Sequence, residues 1–431
     1  MTDTNDAPPV PKTFWQYIRS MGPGIVIALT WLGGGDLVDA AVAGGNYGYA
    51  LMWAMALALS VRFIFVSILA KYQLCNQHQE SVMAGFQRIH PIMPLFIAAV
   101  AIILGHFYGA YFVKGIGEAS NQIFGGGPPW VWATLWMCVA ALLMFKGAFD
   151  RIEFVFYIIL ALLSLSLMGV ALWSGPNPAE AAKGVFLFSL PEDKGSFGVL
   201  LVVTSLIGAV GGSITNLFYP YFIKKKKWQG PKYRKLQLYD LAFGVCALIV
   251  LDLAVWTIGA EILHPTGQTV GSIEDLANLL KTTLGRWGEI IFYLGVFGAL
   301  FSSVLGDALG FGYLVEDATS MRNKAKGLAS ENTKPEKTRI YKIIVLWTIF
   351  SPLVWMLPGT PGFVALTIIV NAAGVIVLPV LSGSIWLMTS KKSFIGADFK
   401  NKWWEHAVMA FLFCLSIWAS YNSIKAIIGY F

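Results

Sequence analysis

Apolar residues in this chain come in long runs divided by short polar stretches. Runs of about 20 apolar residues are long enough to cross a bilayer as helices, and eleven are predicted, at 22–48, 50–70, 93–118, 129–149, 153–174, 198–222, 236–260, 287–316, 341–357, 363–389 and 404–429. Two are interrupted by glycine clusters. Gly33, Gly34 and Gly35 precede Asp36 in the first, and Gly211, Gly212 and Ser213 precede Thr215 and Asn216 in the sixth. Unwound backbone at membrane depth persists only where it lines a cavity, and paired broken helices in two halves of a chain point to a transporter's substrate site. The competing reading is close helix packing, since Gly208 and Gly212 have small-xxx-small spacing. Three consecutive glycines, each unfavourable inside a helix, exceed what packing needs.

The two breaks lie five spans apart, and an odd number of spans inverts the second unit against the first. The expectation is an all-α integral membrane protein: a 5+5 inverted repeat with helices 1 and 6 broken, and an eleventh transmembrane helix. Its parts are a cytoplasmic N-terminal segment over 1–21, the first repeat over 22–174, the second over 198–389 and helix 11 over 404–429.

Composition agrees, with 56% hydrophobic residues, 13% charged residues and 16 tryptophans in 431 positions. The first twelve residues, with three prolines, lack the apolar core of a signal peptide, so the first span is expected to be retained. Lys and Arg accumulate in cytoplasmic loops. With the N-terminus inside, the inner segments carry 25 of the 31 basic residues, Arg62, Lys71 and Arg88 among them. The expected setting is the cell membrane, with the N-terminus cytoplasmic and the C-terminus outside. The same distribution assigns the net charge of +7 to topology and lipid headgroups; Lys224 to Lys227 end a helix, and no nucleic-acid partner is implied. No obligatory protein partner is evident. The segment 319–340 reads as a solvated inner loop, and 272–280 as a short outer helix capped by Ser272. Four scattered cysteines form neither a disulfide framework nor a zinc site. No Ser-His-Asp set, metal-ligand cluster or phosphate loop marks an enzyme.

Beyond the first break, Asp36 and Asp39 share a helical face. They bind a cation, or one of them is a proton carrier, or one of them caps the half-helix that follows. Ser302, Ser303 and Asp307 form a second polar face in the eighth span, unless the serines bond back within their own helix. His106 and Lys114 are ionisable groups inside the third span and so candidate relays. The alternatives are a packed histidine and a lysine that snorkels or pairs with Glu118.

The stretches GPGIVIALTWL from Gly22 to Leu32 and AGGNYGYALMW from Ala43 to Trp53 resemble the first span of Nramp-type divalent-metal transporters. Leu206 to Ala209 leading to Asn216, and Ser302-Ser303, resemble the same family. The resemblance implies the LeuT-type fold and alternating access, and it implies a sodium-holding role for Ser302 and Ser303 beside first-helix carbonyls. The family's DPGN motif aligns with Gly33, Gly34, Gly35 and Asp36, and its Met-Pro-His with Gly212, Ser213 and Ile214. Its acidic third-helix positions fall near Gly109 and Phe112. The soft thioether and histidine ligands of a transition-metal site are therefore missing.

Helix N-termini with free N–H groups suit an oxyanion, and glycine permits close approach. With Ser213, Thr215 and Asn216 as neutral donors, the favoured substrate at this stage is a small planar anion such as bicarbonate. Substrate is expected at Gly33, Gly34, Gly35, Asp36, Gly211, Gly212, Ser213, Thr215 and Asn216. The coupling ion, sodium or a proton, is expected at Asp36, Asp39, Ser302, Ser303 and Asp307, with no other cofactor. The alternative is an Nramp-type magnesium or manganese transporter with the metal at Asp36 and Asp39, since a hard ion needs few protein ligands. A receptor-like protein that has lost transport is the alternative of another class.

Overall fold

The computed structural model describes residues 8–31, 35–146, 149–211, 213–325 and 334–431. Eight helices among them are long and apolar enough to cross a membrane by length and composition. Two shorter apolar helices, Pro129–Phe145 and Ala161–Trp173, and a first span in two pieces bring the number to the expected eleven.

The first span runs as Pro23–Trp31 and resumes as Leu37–Tyr47. Gly33 and Gly34 lie outside the described residues, while Gly35 and Asp36 form a wide π-turn leading into the second half. The sixth span runs Val199–Leu206, widens into a π-turn over Ile207–Gly211 and continues through a tight 3-10 turn, Ile214–Leu217, into Phe218–Lys225. Gly212 is outside the described residues. Ser213 has extended backbone, and its hydroxyl accepts from Thr215 N, so it caps the restarted turn. A third interruption was not anticipated: the tenth span breaks over Val375–Val377, between Phe363–Gly374 and Leu378–Ser390.

Close backbone contact holds the broken first span in place. A Cβ on Gly24 would lie 2.2 Å from Asp240 O in the seventh span, Arg234–Ile258, and one on Gly44 would lie 2.5 Å from Trp256 O. Small residues let membrane helices approach in this way. Asp240 also accepts from Gly22 N at 2.7 Å, Gly24 N at 2.6 Å and the Tyr219 hydroxyl at 2.9 Å, which satisfies the orphan donors at the start of the first half-helix. Gly208 meets the packing reading, because a Cβ there would lie 1.9 Å from Asn371 O in the tenth span.

The second span, Met52–Cys75, is longer than expected and corrects the charge assignment. Arg62 is fully buried at its middle, and Lys71 is buried against Glu405 at 2.6 Å and Asn401 at 2.9 Å on and before the eleventh helix. Both had been counted in an inner loop; partners 26 and more than 300 residues away hold them inside. The eighth span belongs to a long helix, Ile273–Ala325, bent at Gly285, where φ is 61°. That helix extends into the segment read as an inner loop. At its start Ser272 caps the helix as expected, its hydroxyl accepting from Asp275 N while Asp275 accepts from Ser272 N.

Gly44→Val should force the first and seventh spans apart and cost about 1–3 kcal/mol, the usual penalty for overpacking. A lowered thermal-unfolding midpoint of the detergent-purified protein checks this.

Candidate functional site

The breaks enclose a small cavity between the ends of the half-helices. It is lined by Thr30, Trp31, Gly35 and Asp36 of the first span, by Tyr108, Tyr111 and Phe112 of the third, and by Ala209, Ser213 and Thr215 of the sixth. Asp307 of the eighth span and Asn371 of the tenth complete it. Its free space suits a water molecule or a small ion rather than a metabolite.

Asp36 does not face this space as a free carboxylate. Arg62 donates to both its oxygens, at 2.6 and 3.3 Å, and donates further to Ala209 O at 2.5 Å. The guanidinium carbon lies 4.5 Å from the centre of the Trp31 ring. One arginine thereby ties the restart of the first span to the π-turn of the sixth. The forked, planar donor set of arginine suits such a bridge. Asp36 makes no side-chain cap to its own half-helix, so the capping reading is not met. Asp39 turns elsewhere, accepting from Ser205 at 2.6 Å and from Asn371 Nδ2 at 3.0 Å. The two carboxylates therefore do not form one binding face, because each is taken up by a different neighbouring span.

Ser213 and Thr215 share a hydroxyl hydrogen bond of 2.7 Å, with the Tyr108 hydroxyl 3.4 Å from Ser213. Asn216 is buried in the following turn, and Gly211 lies in the π-turn before it. Ser303 donates to Thr30 O at 3.0 Å, at the end of the first half-helix, whereas Ser302 bonds back to Ala299 O. Asp307 is buried and lines the cavity without a hydrogen-bond partner among the described residues.

The candidate relays are elsewhere. His106 Nε2 accepts from Trp355 Nε1 at 3.0 Å, and Nδ1 faces Ser351 Oγ at 2.9 Å, so His106 is a satisfied packing residue outside the cavity lining. Lys114 forms no ion pair with Glu118 among the described residues and does not line the cavity.

Arg62, Tyr108, Asn371 and Asp252 went unread in the sequence. Asp252, in the seventh span, is fully buried, and neither carboxyl oxygen has a partner among the described residues. It lies within electrostatic reach of Asp36, Arg62 and Asp39. The usable signal was simple: Arg62 and Asp252 are ionisable residues inside apolar runs, which marks a functional candidate by default. Asp36, Asp39, Asp252 and Asp307 are thus buried in the first, seventh and eighth spans, with Arg62 paired to the first of them. No group of three or more His, Cys, Asp or Glu is gathered for a metal among them.

The family described as natural resistance-associated macrophage protein-like matches residues 24–426. The chain belongs to the Nramp family. It is 22% identical over 329 residues to the metal transporter Nramp3 of Oryza sativa subsp. japonica, covering 72% of this chain and 58% of that protein. It is 21% identical over 422 residues to the metal transporter nramp1 homolog of Dictyostelium discoideum, covering 94% of this chain and 74% of that one. The crystal structure of the Eremococcus coleocola manganese transporter superposes with a TM-score of 0.76 at 14% identity, covering 98% of this chain and 89% of that one. This Nramp-family chain is a multi-pass membrane protein with the LeuT-type fold, two inverted five-helix repeats and an eleventh helix.

The expectation of bicarbonate as substrate is overturned. The named relatives are metal transporters, and the cavity lining offers carboxyl and hydroxyl oxygens that suit a cation. The sequence reading had counted backbone N–H groups and overlooked the acids that tertiary packing assembles beside them.

Removing Asp36 leaves a guanidinium buried without its counter-charge, so Asp36→Ala should cost about 3–5 kcal/mol. Asp307→Asn breaks no hydrogen bond and should leave the thermal midpoint unchanged. Melting both variants beside wild type in one detergent tests the contrast.

Proposed function

We propose that this Nramp-family chain is a secondary-active, alternating-access transporter of a divalent metal cation, magnesium or manganese, in the cell membrane with its N-terminus cytoplasmic. The observation that carries the reading is the pair of buried carboxyl groups in the cavity lining, Asp36 held by Arg62 and Asp307 with no such partner among the described residues, with Asp39 and Asp252 buried nearby. A buried carboxylate is stable only when paired or coordinated, and a divalent cation supplies a partner for the carboxyl group that has none.

The donors nearest the free space are oxygens: the Asp307 carboxyl, the Ser213, Thr215 and Tyr108 hydroxyls and the Asn371 amide. Among the described residues of the lining there is no thioether or imidazole. Hard oxygen donors suit magnesium and manganese, and magnesium retains waters in place of missing protein ligands. Asp307 carries the free carboxylate in this arrangement, in place of the Asp36 and Asp39 pair read from the sequence. A sodium or proton gradient drives the cycle in the same proposal.

The test is uptake of magnesium and of manganese into proteoliposomes, with and without each gradient. Wild type should carry at least one of the two above empty liposomes, and Asp307→Ala should lose roughly tenfold or more of that flux, the order of a charge-assisted ligand. Absence of divalent flux under every gradient would overturn the reading.

A further inference from the structure

Arg62 holds the oxygens that a cation would seek at the crossing of the two breaks. It bonds a carboxylate from the first span and a main-chain carbonyl from the sixth, it is fully buried, and it lies over the Trp31 ring. An ion that entered the cavity would meet Asp36 and Ala209 O already occupied. The guanidinium can leave only if another anion compensates it, because an unpaired charge in this interior is costly.

Asp252 meets that requirement. Its two oxygens are buried without hydrogen-bond partners among the described residues, and it lies within electrostatic reach of Arg62 and Asp36. Such a carboxyl is an exception to the rule that buried polar groups are satisfied, and Arg62 is a buried cation within its electrostatic reach. We propose that Arg62 is a tethered cation that occupies the ion site in the unloaded protein and moves from Asp36 and the Ala209 carbonyl to Asp252 when the transported cation arrives. This rests on the reading of the substrate as a divalent cation.

Two consequences follow from a two-position arginine. The transported ion competes with a built-in charge, so affinity for any cation is lowered by the free energy of moving Arg62. Only an ion with enough charge density to replace a guanidinium on a carboxylate enters, which makes Arg62 a residue that selects divalent over monovalent cations.

The test is calorimetric titration of the full-length, detergent-purified protein with magnesium chloride and, separately, manganese chloride. Arg62→Gln keeps amide donors for Asp36 and removes the charge, and it should raise divalent affinity roughly tenfold, within the usual range of coupling between sites. Asp252→Asn withdraws the second berth and should weaken affinity about fivefold in the wild-type background. In the Arg62→Gln background, Asp252→Asn should change nothing, because no arginine remains to be received. If Arg62→Gln does not purify as a monodisperse protein, Arg62→Lys replaces it: a point charge without the fork, it should raise affinity about threefold. Unchanged or lost affinity in a folded Arg62 variant, or an Asp252→Asn effect that persists without Arg62, overturns the tether while leaving divalent transport standing. No divalent binding by wild type or any variant overturns the divalent reading itself.

Discussion

The buried bridge from Asp36 through Arg62 to the Ala209 carbonyl is the contact on which the centre of this membrane protein depends. Broken helices leave carbonyls and N–H groups that lipid cannot satisfy. Here the restart of the first span and the π-turn of the sixth are joined by one forked side chain from the second. The surrounding backbone fits the bridge closely: a Cβ on Gly35 would lie 2.3 Å from Asn371 Nδ2 and 3.0 Å from the Ala209 Cβ. Ser303 completes the frame from the eighth span by donating to Thr30 O.

Charge decides what such a centre accepts. Asp36, Asp39, Asp252 and Asp307 are buried near the breaks, and Arg62 pairs with Asp36. Helix N-termini and glycine backbone would favour an anion if they acted alone, but the cavity lining also holds the carboxyl groups of Asp36 and Asp307, whose oxygens are ligands for a cation. Asp39 is neutralised in part by hydrogen bonds from Ser205 and Asn371, while Asp252 and Asp307 have none among the described residues.

Much of the architecture was legible. Eleven apolar runs, and glycine clusters five spans apart, follow from hydropathy and backbone chemistry alone, and the outer helix capped by Ser272 and Asp275 follows from local side-chain spacing. The site was legible only in outline. Asp36, Ser213, Thr215 and Asp307 do meet at the cavity, but Asp39 faces the tenth span and His106 packs against Trp355 and Ser351. Arg62 and Lys71 were placed in a loop because charge counts treat every basic residue near a span end as solvated; their partners, Asp36 and Glu405, come from other parts of the chain.

What the sequence determined by itself is the kind of solvent each segment meets and where the helical ladder cannot continue, since both depend on runs of neighbouring residues. Which acid pairs with which base, and which is left unpaired, was decided only by the tertiary structure. Residues 26 and 147 positions apart meet at Arg62, and such encounters depend on how spans pack rather than on local spacing. The lining of the cavity belongs to that second class: Asp307 and Asn371 reach it only once the eighth and tenth spans are in place.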